Sequence, residues 1–167
     1  MKKFCSTTAI AVFLLLISIG IKAQTAQTKL NQVELMKQFI GTWKSDFGDG
    51  SAMILEYTPY GNAIVGNAKI VSKETALDNK KYFLGYDEKN DKIIIAVLHY
   101  HTPIIETTAN WFISKDIMNS VPFQDISNPG NANMKWKFEF KSPDKFVITS
   151  LQNNIVKSVD EWTREKK

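Results

Sequence analysis

Across residues 42–164, apolar and polar side chains alternate in short runs, which is the pattern of β-strands with one buried face. The clearest run places Met134, Trp136, Phe138 and Phe140 on one face, with lysines and a glutamate on the other. Gly, Pro, Asn and Asp recur between the runs, roughly every ten residues. The pattern predicts an all-β, up-and-down antiparallel arrangement of about ten strands.

The predicted strands cover 42–47, 52–58, 63–71, 81–86, 92–101, 104–113, 116–124, 134–141, 146–151 and 155–164. Residues 72–80 are predicted to form a polar loop. The seventh strand is the weakest, because Pro122 lies within it and proline is typical of an edge strand or a bulge. No internal repeat or second domain is visible in the sequence.

A short helix is predicted just before the first strand. Asn31 is a suitable N-cap, and Glu34 three residues later completes the pattern of a capping box. Four apolar residues then follow at helical spacing within 35–40, and Gly41 is a natural stop. We expect the apolar stripe of this helix to cover one end of a barrel.

The two ends of the strand region indicate closure. Trp43 lies in the first predicted strand and Arg164 ends the last, so a closed barrel would bring them together at the seam. Closure also removes the sheet edges that an open sheet would expose. A two-sheet sandwich remains an alternative, since alternation alone does not separate the two architectures.

Residues 1–23 have the pattern of a secretory signal peptide. Lys2 and Lys3 form a basic start, 9–21 is an apolar run short for a bilayer span, and Ala23 offers a small residue at the cut. An uncleaved membrane anchor is the alternative. We expect residues 24–30 to be a flexible N-terminus and residues 31–167 to form the barrel domain. After cleavage the protein is expected to have no membrane span and to be periplasmic or secreted.

Charge and cysteine content exclude several classes of function. The sequence has 21 basic and 17 acidic residues, and loss of Lys2, Lys3 and Lys22 leaves 18 basic and 17 acidic, a net charge of +1. Such a balance lacks the clustered Lys and Arg of a nucleic-acid interface. The single cysteine, Cys5, lies in the leader, so the mature chain has no disulfide and no thiol nucleophile.

Three segments resemble a known group of barrels. They are residues 35–43, which end in Gly-Thr-Trp, residues 85–87 (Gly-Tyr-Asp) and residues 161–164 (Glu-Trp-Thr-Arg). They resemble the calycin group of lipocalins, fatty-acid-binding proteins and bacterial relatives, and are most similar to an uncharacterised family of exported bacterial lipocalin-like proteins. The resemblance implies that Trp43 packs at the closed end of the barrel with Arg164 over it, both in structural roles.

The resemblance further implies an interior that binds a small apolar or amphipathic molecule, in a monomer or weak dimer. A barrel of eight to ten strands with many large rings agrees with this, although ordinary core packing is the simpler explanation of any single ring. The candidate ligand-binding residues are Tyr57, Tyr86, His99, His101, Glu106, Trp111 and Trp136.

His99 and His101 are the only histidines and carry the only metal-binding pattern. Two residues apart on a predicted strand, they would share one face, with Glu106 across the turn. Two imidazoles and a carboxylate suit zinc or ferrous iron. Histidines at a wet barrel rim that bind nothing are the simpler interpretation, so no cofactor is expected. A heme site is disfavoured, since related heme barrels use a histidine near the C-terminus.

Catalytic residues are not predicted, and an enzyme is the less favoured interpretation. No serine lies in a strand-turn-helix elbow. Glu56, Glu106 and Asp160 are expected to be ordinary outward carboxylates, because charged side chains are seldom buried unpaired. The alternatives to a carrier are an enzyme or metal-binding protein that uses His99, His101 and Glu106, and an envelope interaction module with a filled barrel.

Overall fold

The computed structural model describes residues 29–72 and 76–166. The predicted signal peptide and most of the predicted flexible segment 24–30 lie outside the described residues. Within the described part the helix α1 is Gln32–Met36, and the strands, β1 to β10 in chain order, are Gly41–Asp46, Ala52–Tyr60, Ala63–Val71, Ala76–Asp87, Lys92–His99, Ile105–Phe112, Ile117–Pro122, Met134–Ser142, Lys145–Gln152 and Ile155–Arg164. Short 3-10 turns are Lys37–Phe39, Phe123–Asp125 and Pro129–Asn131.

The ten strands form one closed antiparallel barrel, which confirms the predicted fold class. Each strand pairs with its neighbours in sequence, and β1 pairs with β10 to close the sheet. At this seam Trp43 lies opposite Arg164 and Lys44 opposite Thr163. The sandwich alternative is therefore wrong, because a single sheet joins all ten strands.

Several strand boundaries differ from the prediction, most of all that of β4. β4 begins at Ala76, so residues 76–80 are strand and not polar loop: Asn79 and Lys80 pair with β3 through the backbone. β5 ends at His99, two residues earlier than predicted, and β6 begins at Ile105. The weak seventh strand is real, and its proline lies at its last position, where the strand gives way to a 3-10 turn.

The predicted N-cap of α1 is confirmed, and the capping box is half formed. The Glu34 N–H donates to Asn31 Oδ1 at 3.1 Å. The Glu34 carboxylate instead pairs with Lys37 Nζ at 2.7 Å, one turn further along. Among the described residues, no helix is long and apolar enough to cross a membrane.

A buried glutamine fixes α1 to the barrel. Gln32 Nε2 donates to the Phe112 carbonyl at 3.1 Å, and the Phe112 N–H donates to Gln32 Oε1 at 2.7 Å. These two bonds satisfy the backbone N–H and carbonyl of Phe112, the last residue of β6, as pairing with a neighbouring strand would. The helix and the 3-10 turn after it thus lie across one end of the barrel, the closed end.

The core at the closed end is built around Phe39. Its ring meets those of Tyr57, Phe140 and Phe146 at centroid distances of 5.8, 5.2 and 5.9 Å, in edge-to-face arrangements. Such pairs add to the free energy gained from burying the rings. The predicted apolar stripe of the helix region therefore contacts the barrel interior.

Trp43 and Arg164 complete the closed end. The Arg164 guanidinium carbon lies 4.1 Å from the centroid of the Trp43 ring, and the Trp43 Nε1–H donates to the Phe39 carbonyl at 2.7 Å. The same guanidinium donates to the carbonyls of Gln38 and Ile40. One arginine thus ties the last strand to the first strand and to the segment that leaves the helix.

Candidate functional site

The inner face of the barrel is buried at one end and only half-buried at the other. Near the closed end, inner residues such as Leu84, Ile93 and Met118 are almost fully buried. Toward the opposite end, which we call the mouth, solvent reaches much of the inner face. We call this half of the interior the chamber; its half-buried inner residues include Met53, Tyr82, Val97, His99, Thr108, Trp136, Phe138, Ile148, Ser150, Ser158 and Asp160.

A row of mostly polar side chains crosses five neighbouring strands of the chamber. The pairing register sets Asn110, Ser120, Trp136, Ser150 and Ser158 side by side, on β6 through β10 in order. Directly paired residues point to the same face of a sheet. Because Asn110 shares the inner face with Phe112, the whole row lies inside the barrel. The row forms a polar band across the inner wall, buried at Asn110 and Ser120 and half-buried where it reaches the chamber at Trp136, Ser150 and Ser158.

The next inner row toward the closed end is mainly apolar. It consists of Phe112, Met118, Phe138, Ile148 and Asp160 in the same strand order. A molecule in the chamber therefore meets apolar side chains at its deeper end and hydrogen-bonding groups nearer the mouth.

Asn110 presents a buried acceptor with no partner. Its Nδ2 donates to the Ile93 carbonyl at 3.1 Å and to Thr108 Oγ1 at 3.0 Å, which fixes the amide. Its Oδ1 is buried and has no hydrogen-bond partner among the described residues, and the same holds for Trp162 Nε1. Unpaired buried polar atoms are costly, and so they mark positions where a donor or acceptor from a bound molecule would stabilise the fold.

His99 and Glu106 meet at the mouth. His99 Nε2 lies 3.4 Å from Glu106 Oε2, across the β5–β6 pair. The contact is close enough for an ion pair when the imidazole carries a proton, but it lies outside hydrogen-bond geometry, and Nε2 is otherwise unpartnered in the described residues. Glu106 is 64% exposed, so this pair forms part of the rim of the chamber.

His101 does not share the face of His99. Because β5 ends at His99, His101 lies in the turn that follows, is exposed, and packs edge-on against the Tyr100 ring at 4.9 Å. No group of three or more His, Cys, Asp or Glu in the described part of the chain is arranged to hold a metal ion.

Tyr57 lies on the inner face, between the closed end and the chamber. Its ring contacts Phe39 and Tyr82, and burial raises its pKa well above the usual value, so the phenol stays neutral. Gly66 on the neighbouring strand makes room for it, since a Cβ at that position would lie 2.5 Å from the Tyr57 ring.

Tyr86 lies near the end of β4, at the closed end of the barrel. Its hydroxyl donates to Asp91 Oδ1 at 2.6 Å, and this hydrogen bond is the main reason that the pKa of Tyr86 rises to about 12. The same bond lowers the pKa of Asp91. Its hydroxyl is therefore already engaged by the protein, away from the chamber.

The two remaining candidate tryptophans lie on opposite faces of the wall. Trp136 belongs to the polar row inside. Trp111 lies outside, where it packs on a second small core that includes Ala109 and Val121, with Lys92 Nζ 4.9 Å from its ring centroid. The structure thus brings Trp136, His99 and Glu106 to the chamber and places Trp111 elsewhere.

The comparisons with known proteins add no family. No protein-family model matches the chain, and no curated protein matches its sequence.

Sequence reasoning did not single out the polar row, and it expected Asp160 to point outward. That expectation is wrong: Asp160 shares the inner face with Trp162 and accepts a hydrogen bond from Ser158 Oγ at 3.0 Å. The signal was available, because period-two alternation puts Asn110 on the face of Phe112. Glu56 is exposed on the outer face, as expected of an ordinary carboxylate, whereas Glu106 is exposed but lies on the inner face opposite Val97, so the outward expectation is wrong for Glu106 as well.

Proposed function

We propose that this protein is an exported lipocalin-like barrel that binds or carries a small apolar or amphipathic molecule in the chamber. The observation that supports it is the gradient of burial along the inner face. A barrel filled by its own side chains would bury Trp136, Phe138 and Ile148 as fully as it buries Ile93, yet they are half-buried. Ten strands enclose enough space for one small ligand.

The chemistry of the wall favours an amphipathic ligand over a purely apolar one. Phe138 and Ile148 supply apolar contact area, while the band that contains Asn110 and Ser120 supplies hydrogen-bonding groups. The unpaired Asn110 Oδ1 is an acceptor, so a ligand hydroxyl or amide N–H is the matching group. Such a molecule would place its apolar part toward the closed end and its polar part toward the mouth.

The parts of the proposal that concern export and family membership rest on the sequence. The basic start, apolar run and small residue of positions 1–23 support a cleaved signal peptide and a periplasmic or secreted protein. The segments ending at Trp43 and Arg164 support membership of the lipocalin-like family. The guanidinium–indole contact between those two residues is consistent with that resemblance.

The two tryptophans on opposite faces give a matched test. Anilinonaphthalene sulfonate (ANS), an amphipathic fluorescent probe, would be titrated into wild type, Trp136→Ala and Trp111→Ala. We expect Trp136→Ala to weaken probe binding by roughly tenfold, as loss of a buried aromatic contact does, and Trp111→Ala to leave it nearly unchanged. Equal effects of the two substitutions, or no binding by wild type, would contradict the chamber as the binding site.

Native mass spectrometry of protein purified from its own host complements the probe. A bound small molecule that is retained by wild type and lost from Trp136→Ala would identify the ligand class directly. Circular dichroism of each variant shows whether the barrel is still folded, so that loss of binding is not confused with loss of structure.

The contact between His99 and Glu106 supports a second candidate, an enzyme or metal-binding protein active at the mouth. The pair places an imidazole beside a carboxylate at the chamber entrance. Metal analysis of the purified protein and of the double variant His99→Ala/His101→Ala distinguishes this candidate from a carrier. Stoichiometric zinc or iron that disappears in the double variant would favour it. The third candidate, an interaction module with a filled barrel, is disfavoured by the half-buried inner face.

A further inference from the structure

The inner wall of the chamber carries a carboxylate that has no cation beside it. Asp160 on β10 pairs with Ile148 on β9, and Ile148 pairs with Phe138 on β8, so the carboxylate ends a mainly apolar inner row. The side chain is half-buried, and Ser158 Oγ donates to its Oδ2 at 3.0 Å. In the described part of the chain, no other hydrogen bond and no ion pair reaches this carboxylate.

Nearby carboxylates on the outer face do have cations. Glu161, the next residue along β10, pairs with Lys145 Nζ at 2.7 Å, although its side chain is 56% exposed. Asp46 at the end of β1 is 68% exposed and pairs with Lys44 Nζ at 2.8 Å. The less exposed Asp160 has no such partner among the described residues. Because charged side chains are seldom buried without a counter-charge, this position indicates a cation from outside the chain.

A second polar group near Asp160 is also unsatisfied. Trp162 lies two residues further along the same face of β10 and is 7% exposed. Its Nε1 is buried and has no hydrogen-bond partner among the residues that the structure describes. Buried polar atoms normally have partners, so this part of the inner wall holds two groups that a bound molecule can satisfy.

The rings beside Asp160 favour a cation as well. Phe138 lies in the same inner row, and Phe146 and Trp162 form the next row toward the closed end. The Phe138 and Phe146 centroids are 6.5 Å apart, and the Phe146 ring stacks on the Trp162 indole at 5.8 Å. The faces of aromatic rings attract ammonium ions, most strongly where water is excluded. A carboxylate among aromatic rings therefore suits a positively charged group that carries an apolar chain.

The other ionisable residues of the chamber lie on a different wall. The register sets Lys80 on β4 opposite His99 on β5, and Glu106 on β6 contacts His99. In the ring of ten strands, β5 is five strands away from β10 in either direction. The inner lysine is therefore placed beside His99 and Glu106, across the chamber from Asp160.

We propose that the polar group of the molecule bound in the chamber is a protonated amine that pairs with Asp160. The inference rests on the proposed function, since it names the chemical class of ligand that the chamber takes. The amine donates to Oδ1, the carboxylate oxygen that Ser158 does not use, and the apolar chain packs on Phe138 and Ile148. A ligand carboxylate is disfavoured at this position, because two negative charges would lie together in a half-buried site.

Three ligands with the same decyl chain separate the effect of charge from that of chain burial. Isothermal titration calorimetry would compare decylammonium, decanol and decanoate at about pH 7, where an alkylamine is protonated as a lysine side chain is. We expect wild type to bind decylammonium at least about tenfold more tightly than decanol, and decanoate most weakly. Asp160→Asn keeps an acceptor for Ser158 but removes the charge, so it should weaken decylammonium binding at least about tenfold and leave decanol binding unchanged. Glu161→Gln, which removes the outward carboxylate next to it, is the matched control and should behave as wild type.

The outcomes distinguish failure of this inference from failure of the proposed function. Equal affinities of wild type for decylammonium and decanol, or a preference for the amine that survives in Asp160→Asn, overturn the inference while the chamber remains a binding site. A preference that disappears in Glu161→Gln also overturns it, because the amine would then bind the outer surface. Wild type that binds none of the three ligands overturns the proposed function and this inference together. Circular dichroism and an unchanged affinity for decanol show that Asp160→Asn keeps the barrel and its chamber.

Discussion

Removal of the Arg164 side chain tests whether this residue stabilises the barrel and leaves the chamber unaffected. In Arg164→Ala, the carbonyls of Gln38 and Ile40 lose a charged donor, and so does the Pro143 carbonyl, which lies 2.9 Å from Arg164 Nε. The indole of Trp43 also loses the cation over its face. The variant therefore loosens the segment after the helix, the turn between β8 and β9, and the seam together.

The size of the effect follows from these contacts. A hydrogen bond to a charged group contributes about 1.5–3 kcal/mol when buried, and a cation–π contact about 0.5–1 kcal/mol at a partly exposed site. Because Arg164 is 25% exposed and water can reach some of the freed carbonyls, we take about 1 kcal/mol for each hydrogen bond. The expected loss is about 3.5–4 kcal/mol, which lowers the melting temperature by roughly 10 °C in a chain of this size.

Urea and thermal unfolding, followed by circular dichroism, measure this loss, and ANS titration measures binding. Arg164→Lys keeps the charge, but one ammonium cannot bridge three carbonyls, so an intermediate loss is expected. Lys141→Ala removes only an exposed ion pair with Glu139 and should change stability by less than about 0.5 kcal/mol. The reasoning is refuted if Arg164→Ala is as stable as Lys141→Ala, or if probe affinity falls while the melting temperature is unchanged.

Two further predictions concern the closed end. Gln32→Ala leaves the buried N–H and carbonyl of Phe112 without partners and is expected to lower the free energy of unfolding by about 2–4 kcal/mol. The control Gln38→Ala loses one exposed hydrogen bond and should lower it by less than about 1 kcal/mol. Urea unfolding of both variants and wild type measures these differences. Tyr86 has its pKa raised to about 12 by donation to Asp91, so its contribution to stability is complete below pH 10 and is lost as the pH rises toward 12. Unfolding measured across this range should show a steeper alkaline loss in wild type than in Tyr86→Phe, and equal slopes would contradict the assignment.

The architecture was predictable because its signals are local and repeated. Alternation such as that of β8 identifies a strand whatever its neighbours are, and the residues at the two ends of the strand region indicated closure. The start of β4 was missed because Asn79 and Lys80 are polar and join the sheet through their backbones, which side-chain patterns do not report. His101 was placed on a strand because nothing in its own chemistry marks where the preceding strand ends.

The chamber was less predictable than the barrel. The sequence pointed to residues by chemical type, which selected Trp111 as readily as Trp136, although the register puts them on opposite faces. The polar row depends on the alignment of five strands, and a one-residue shift in any of them would turn its member outward. Alternation along β6 places Asn110 on the inner face with Phe112, but its place in the polar row is recognised only once the pairing with β7 is known.

The pairing between β1 and β10 has a consequence for biogenesis. These strands are far apart in the chain, so the seam cannot form until nearly the whole polypeptide has been synthesised. Until Arg164 is available, the first nine strands remain an open sheet and the Trp43 ring lacks its cation. Ring closure is thus among the last steps of folding, because it needs both ends of the strand region at once.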